Sequence, residues 1–246
     1  MSTFIISECG INHGGDLALA KQQIYQSKLA GADAVKFQVY DPYSVLGMES
    51  PYLSEAIRAK VNDTAFHYAT KAYADEVGIE WFASAFHLWA VDFLESLGVK
   101  RHKIASRSFK DSVLVAHIAA TNKPVIMSVG SLEDTSEDAN SIEKAINILA
   151  GSPVALLYCV TKYPTQMSDI DFEKFSFLKR FNKEIGFSSH CPSIWPGIRS
   201  VLNGARVLEY HTTISRNLPG CDQSSSLQYD ELKMLVDGVR YFEALS

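Results

Sequence analysis

Short apolar runs rich in β-branched residues alternate with longer amphipathic stretches along the whole chain. That rhythm constrains the fold more than any other feature, because runs buried on both faces read as parallel strands and the stretches between them as helices. Gly, Pro, Asn or Asp marks each changeover. Strands are predicted over residues 4–6, 34–39, 79–83, 102–105, 124–128, 153–158, 184–188 and 207–211. Between and after them, helices are predicted over 16–29 (Asp16 as N-cap, Gly31 as stop), 64–77, 112–120, 136–149, 171–181 and 198–202. Two more are read from apolar stripes: Val91, Leu94 and Leu97, closed by Gly98, and Leu232, Leu235, Val236, Val239 and Phe242.

Eight strand–helix units of about 31 residues use all 246 positions. The expected architecture is a single-domain (β/α)8 TIM barrel over residues 1–246, in the α/β class. An open doubly wound sheet needs fewer units, and the first strand–helix turn lacks the GxGxxG of a dinucleotide site. Four cysteines without a CxxC pair point to free thiols in a reducing, cytoplasmic setting. No basic leader follows Met1, so no signal peptide is expected, and no apolar run approaches the ~20 residues that span a bilayer. A net charge of −5 without a clustered basic face excludes a nucleic-acid partner.

Barrels of this kind take their catalytic groups from the C-terminal ends of the strands. Those ends carry Glu8, then Lys36 and Gln38, Ser84, Lys103 and Ser106, and Ser128. Thr161, Lys162 and Tyr163 follow, with Ser188, Ser189 and His190, and lastly Glu209 and His211. A lysine inside a barrel strand is costly unless it meets an anion. One alone would read as a structural ion pair. Two beside several serine hydroxyls point to a phosphate or carboxylate ligand, with a Schiff-base lysine as the alternative. His190 and His211 end adjacent strands, and the residue types allow either a shared metal or two hydrogen-bonded core imidazoles. Glu8 and Glu209 read equally as a base or as partners of the lysines. Cys9 and Cys191 read as buried structural thiols, and the Asn62-Asp63-Thr64 glycosylation match as chance.

The order of motifs resembles the sialic acid synthase family. The opening Glu8-Cys9-Gly10-Ile11-Asn12-His13-Gly14-Gly15-Asp16 is followed by Gly31-Ala32-Asp33-Ala34-Val35-Lys36-Phe37-Gln38. Then come His102-Lys103-Ile104-Ala105-Ser106, Ile126-Met127-Ser128-Val129-Gly130 and Tyr163-Pro164-Thr165. Gly186-Phe187-Ser188-Ser189-His190, Leu208-Glu209-Tyr210-His211 and Asn217-Leu218-Pro219-Gly220-Cys221-Asp222 complete the set.

The resemblance implies a metal-dependent condensation of phosphoenolpyruvate with a sugar aldehyde such as N-acetylmannosamine. It implies that Lys36, Lys103, Ser106 and Ser128 hold phosphoenolpyruvate, helped by Thr161 and Ser188. Glu8 becomes the acid/base, and Gln38, Tyr163, Glu209 and Asp222 line the acceptor side. His190 and His211 become ligands of a divalent metal, usually manganese, with magnesium or cobalt as substitutes. Three departures stand out. Arg107 and Ser108 occupy the family's Gly-Glu, whose glutamate meets the sugar. Ser189 replaces an aspartate before the first metal histidine. The chain ends at Ser246, straight after the eighth helix, where family members continue into an antifreeze-like domain that caps the partner subunit's site. Either the cap was removed or is encoded separately, or the protein never had it, so a separate cap protein and a homodimer are the partners the resemblance allows. The rival readings are a Schiff-base aldolase acting on a 2-keto acid and a barrel that binds phosphoenolpyruvate or a sugar acid without turnover.

Overall fold

The computed structural model describes residues 2–130 and 132–245. Eight parallel strands form the barrel: β1 (Phe4–Glu8), β2 (Ala34–Val39), β3 (Glu80–Ala85), β4 (His102–Ile104), β5 (Val125–Gly130), β6 (Val154–Cys159), β7 (Glu184–Ser189) and β8 (Val207–Thr213). Each pairs with the next, and β1 pairs with β8 to close the sheet. Closure places Glu8 level with Lys36 on one side and with His211 on the other. The predicted (β/α)8 barrel is the fold observed.

The helices are α1 (Leu17–Ala30), α2 (Pro42–Leu46), α3 (Leu53–Arg58), α4 (Thr64–Val77), α5 (Leu88–Ser96), α6 (Ser112–Ala119), α7 (Ser136–Ile148), α8 (Lys174–Lys179), α9 (Trp195–Leu202) and α10 (Tyr229–Ala244). Local chemistry sets their ends. Asp16 accepts from the Ala18 and Leu19 amides to start α1, and Gly31 at φ +87° stops it. Asp63 caps α4 through the Phe66 amide. No helix among the described residues is long and apolar enough to cross a membrane.

Several boundaries depart from the sequence reading. The long connection after β2 contains α2 and α3, because Asp41 caps a turn with Pro42 in its first position. The helix expected over 171–181 contracts to α8, since the Asp171 side chain binds the Glu173 amide at 2.9 Å and holds a turn there. In contrast, α9 starts three residues early, with Pro196 in its first turn. A two-residue strand, β9 (Leu227–Gln228), pairs beside Thr212 and Thr213.

The main core lies between the barrel and its helices, built on Phe37, Trp81, Phe82, Phe175 and Phe187. The α2–α3 connection packs on a separate small cluster of Tyr40, Ala56, Ala59 and Val61. Gly15 lets the β1–α1 turn pass that connection: φ is +80°, and a Cβ there would lie 1.9 Å from the Arg58 carbonyl oxygen.

Candidate active site

Period-2 geometry turns Lys36 and Gln38 of β2 to the inner side, and Tyr40, the residue just past the strand's end, lines the same cavity. The same alternation brings side chains from all eight barrel strands into one cavity of about 540 Å³ at the carboxyl ends of the strands. The candidate residues Glu8, Lys36, Gln38, Ser84, Lys103, Ser106 and Ser128 all line it. So do Thr161, Tyr163, Ser188, His190, Glu209, His211 and Asp222.

At its floor lie two lysines and two carboxylates, all buried. Lys36 Nζ is 2.9 Å from Glu8 Oε1 and 3.6 Å from Glu209 Oε1. It also donates to Ser84 Oγ at 3.0 Å. Lys103 Nζ donates to Ser128 Oγ at 2.7 Å and lies 4.0 Å from Glu209 Oε2. Two positive and two negative charges therefore balance where unpaired ions would be very costly.

The environments of the two carboxylates diverge. Burial raises the Glu8 carboxyl, and the nearby Lys36 offsets this only in part. Burial also pushes Glu209 upward, but Lys103 and Lys36 together hold it below the usual carboxylate range. The two carboxylates are thus displaced in opposite directions, Glu8 upward and Glu209 downward, by their different distances from the lysines. Gln38 Nε2 donates to Glu8 Oε1 at 3.0 Å, whereas the buried Glu8 Oε2 has no hydrogen-bond partner. Behind it, Thr212 Oγ1 donates to the Glu8 carbonyl at 3.3 Å and tethers the end of β1 to β8.

Lys36 and Lys103 also differ. Burial depresses both ammonium groups, but Glu209 and Glu8 outweigh it at Lys36, which is raised. At Lys103 burial prevails, and its ammonium is lowered.

His190 and His211 bring their ring centroids to 5.2 Å. His190 Nδ1 donates to the Val160 carbonyl at 2.7 Å, which leaves Nε2 as the lone-pair nitrogen. Burial, with the His211 charge, lowers the His190 imidazole to about 3, so it is neutral as a metal ligand must be. His211 Nδ1 is buried without a hydrogen-bond partner. Two imidazole nitrogens at this spacing are a donor pair of the kind that could serve a divalent ion. Among the described residues, no group of three or more His, Cys, Asp or Glu side chains is arranged to hold a metal.

The structure separates other candidates from the cavity. Lys162 pairs with Asp169 at 2.8 Å on the surface. Ser189 Oγ accepts from the Cys191 amide and does not join the lining. Cys9 is fully buried, and burial raises its thiol far above the usual range, consistent with an inert packing residue. The sequence reading missed Tyr40, Cys159 and the wall formed by Val45, Leu46 and Tyr52. Tyr40 was detectable from the 36, 38, 40 alternation; the wall was not, since the 42–58 connection carries no strand pattern.

The fold and this cavity define a barrel of the enzyme class that gathers its polar groups at the carboxyl ends of its strands. The NeuB family model matches residues 23–246, and the chain belongs to the NeuB family. It is 32% identical to the N,N'-diacetyllegionaminic acid synthase of Legionella pneumophila, over 100% of this chain and 73% of that protein. It is also 32% identical to a pseudaminic acid synthase of Campylobacter jejuni, over 98% of this chain and 74% of that one. The crystal structure of N-acetylneuraminic acid synthetase from Leptospira borgpetersenii superposes with a TM-score of 0.93 at 31% identity. That match covers 100% of this chain and 85% of the other. The chain is thus an enzyme of the sugar-acid synthase family.

Proposed function

We propose that this protein condenses phosphoenolpyruvate with a sugar aldehyde related to N-acetylmannosamine, giving a 2-keto-3-deoxy sugar acid of the nonulosonic type and inorganic phosphate. One observation carries the reading: two buried lysines, each bound to a serine hydroxyl (Lys36 to Ser84, Lys103 to Ser128), face the same cup. An enol phosphate brings a phosphate and a carboxylate, and charged donors with hydroxyls answer both.

In the proposed reaction, C3 of the enol attacks the aldehyde carbon and the new C–C bond forms. Glu8 delivers a proton to the aldehyde oxygen, which becomes a hydroxyl. Water then adds at C2 and returns a proton to Glu8. Cleavage of the C2–O bond releases phosphate, which leaves with the hydroxyl proton as the ketone forms. Ionised Glu209 stays beside Lys36 and Lys103 and keeps their charge balanced before substrate arrives. A divalent metal, manganese by preference, held by His190 and His211 would polarise the acceptor aldehyde. Four free cysteines among the described residues support a cytoplasmic setting.

The test is phosphate release from phosphoenolpyruvate with manganese across a panel of aldoses. Silence with every acceptor, in folded protein, overturns the reading. The lowered Lys103 ammonium favours one rival, a Schiff-base aldolase. Borohydride with a 2-keto acid distinguishes them, since the condensation leaves no trapped lysine adduct.

A further inference from the structure

Arg107 is the one arginine in the cavity wall among the described residues, and nothing in the proposed reaction uses it. It sits on a single helical turn, Ser106–Ser108, directly after β4, and is exposed at the cavity mouth. Its Nη2 donates to the Val45 carbonyl at 2.7 Å, which hooks the side chain to α2. Both lysines of the cavity, by contrast, have a carboxylate within 4.0 Å. Arg107 has no carboxylate partner among the described residues and is held by that carbonyl instead.

The position is as informative as the charge. Lys36 and Lys103 lie at the floor, whereas Arg107 stands by the outer wall of Tyr40, Val45, Leu46 and Tyr52. Burial raises the Tyr40 hydroxyl, and the Arg107 charge works against that rise, so the guanidinium acts on this wall. A guanidinium has five N–H donors in a planar fork, and the hook consumes one. The rest match a phosphate or carboxylate better than they match neutral hydroxyls.

We propose that Arg107 selects an acceptor carrying an anionic group, phosphate or carboxylate, at the end of the sugar away from its aldehyde. This rests on the condensation reading: with phosphoenolpyruvate on the two floor lysines, the remaining cation meets the second substrate. The wall beside Arg107 then covers the apolar parts of the same sugar.

The experiment compares three acceptors: N-acetylmannosamine, its 6-phosphate and its uronic acid. The wild type should favour one charged acceptor over the neutral sugar at least tenfold in kcat/KM, and which one wins identifies the anion. In Arg107→Gln that ratio should fall at least tenfold, chiefly through KM for the acceptor. Arg107→Lys keeps the charge without the fork and should give an intermediate ratio. No preference in the wild type, or a ratio that survives in Arg107→Gln, overturns the proposal. Calorimetric binding of the same sugars in the presence of phosphoenolpyruvate separates the two claims. If no acceptor turns over but a charged sugar binds more tightly to wild type than to Arg107→Gln, the condensation fails and the Arg107 assignment stands. Equal binding by both proteins overturns the assignment.

Discussion

Lys36 and Glu8 stand level on adjacent strands, Nζ to Oε1 at 2.9 Å, both sealed from solvent inside the barrel. The pair is matched below by Glu209, so each ion is stable only while the others are present. Lys36→Ala should therefore act twice. Leaving Glu8 and Glu209 without that cation should cost about 3–5 kcal/mol of stability, read from urea unfolding. Phosphate release from phosphoenolpyruvate should fall below detection, and near-wild-type kinetics would remove Lys36 from the site.

Glu8→Gln tests proton handling apart from charge balance. The amide keeps the shape and can still face Gln38, so phosphoenolpyruvate should protect the variant against heat as it does the wild type. The value of kcat should drop about 100-fold or more, the usual worth of a general acid–base group. Unaltered turnover would transfer that role elsewhere.

The histidine pair predicts a metal dependence that can be read without turnover. Paramagnetic resonance of added manganese should show binding to the wild type and markedly weaker binding to His190→Ala and His211→Ala. Equal manganese affinity in all three would count against both ligands. A chelator should abolish phosphate release, and manganese should restore it.

Gly130 ends β5 against two neighbouring loops. A Cβ there would lie 2.5 Å from Ser106 Oγ, 2.8 Å from Thr161 Cγ2 and 3.1 Å from the Cys159 carbonyl oxygen. Gly130→Ala should cost about 1–3 kcal/mol in unfolding free energy. By displacing Ser106 it should also raise KM for phosphoenolpyruvate.

Two histidines outside the cavity predict a pH dependence of stability. Burial lowers His13 to about 3 and His67 to about 4, so both are neutral in the folded protein. Unfolded imidazoles take up protons as pH falls through about 6.5, and the folded ones do not. Stability should decline from about pH 6.5 downward, by up to about 1.4 kcal/mol per pH unit for each histidine, until the folded groups titrate. Urea midpoints at pH 7 and pH 5 measure this. His67→Gln, which keeps a donor for the Val61 carbonyl, should shrink the difference.

The alternation of apolar runs and amphipathic stretches, with their glycine and proline punctuation, determined the barrel by itself. Those signals are local, since a strand buried on both faces and a capped helix are each written in neighbouring residues. The strand ends were equally legible, which is why Glu8, Lys36, Lys103, His190, Glu209 and His211 could be named in advance. What those groups do to one another was not. Glu8 meets Thr212 from 204 positions away only because β1 closes on β8. The divergence of Glu8 from Glu209 depends on which lysine approaches which carboxylate in a desolvated interior, a property of distances rather than of order. Arg107 shows the same limit from outside. Its sequence position marks it as unusual, but only the folded connection 42–58 makes it a cation at the mouth of the cavity.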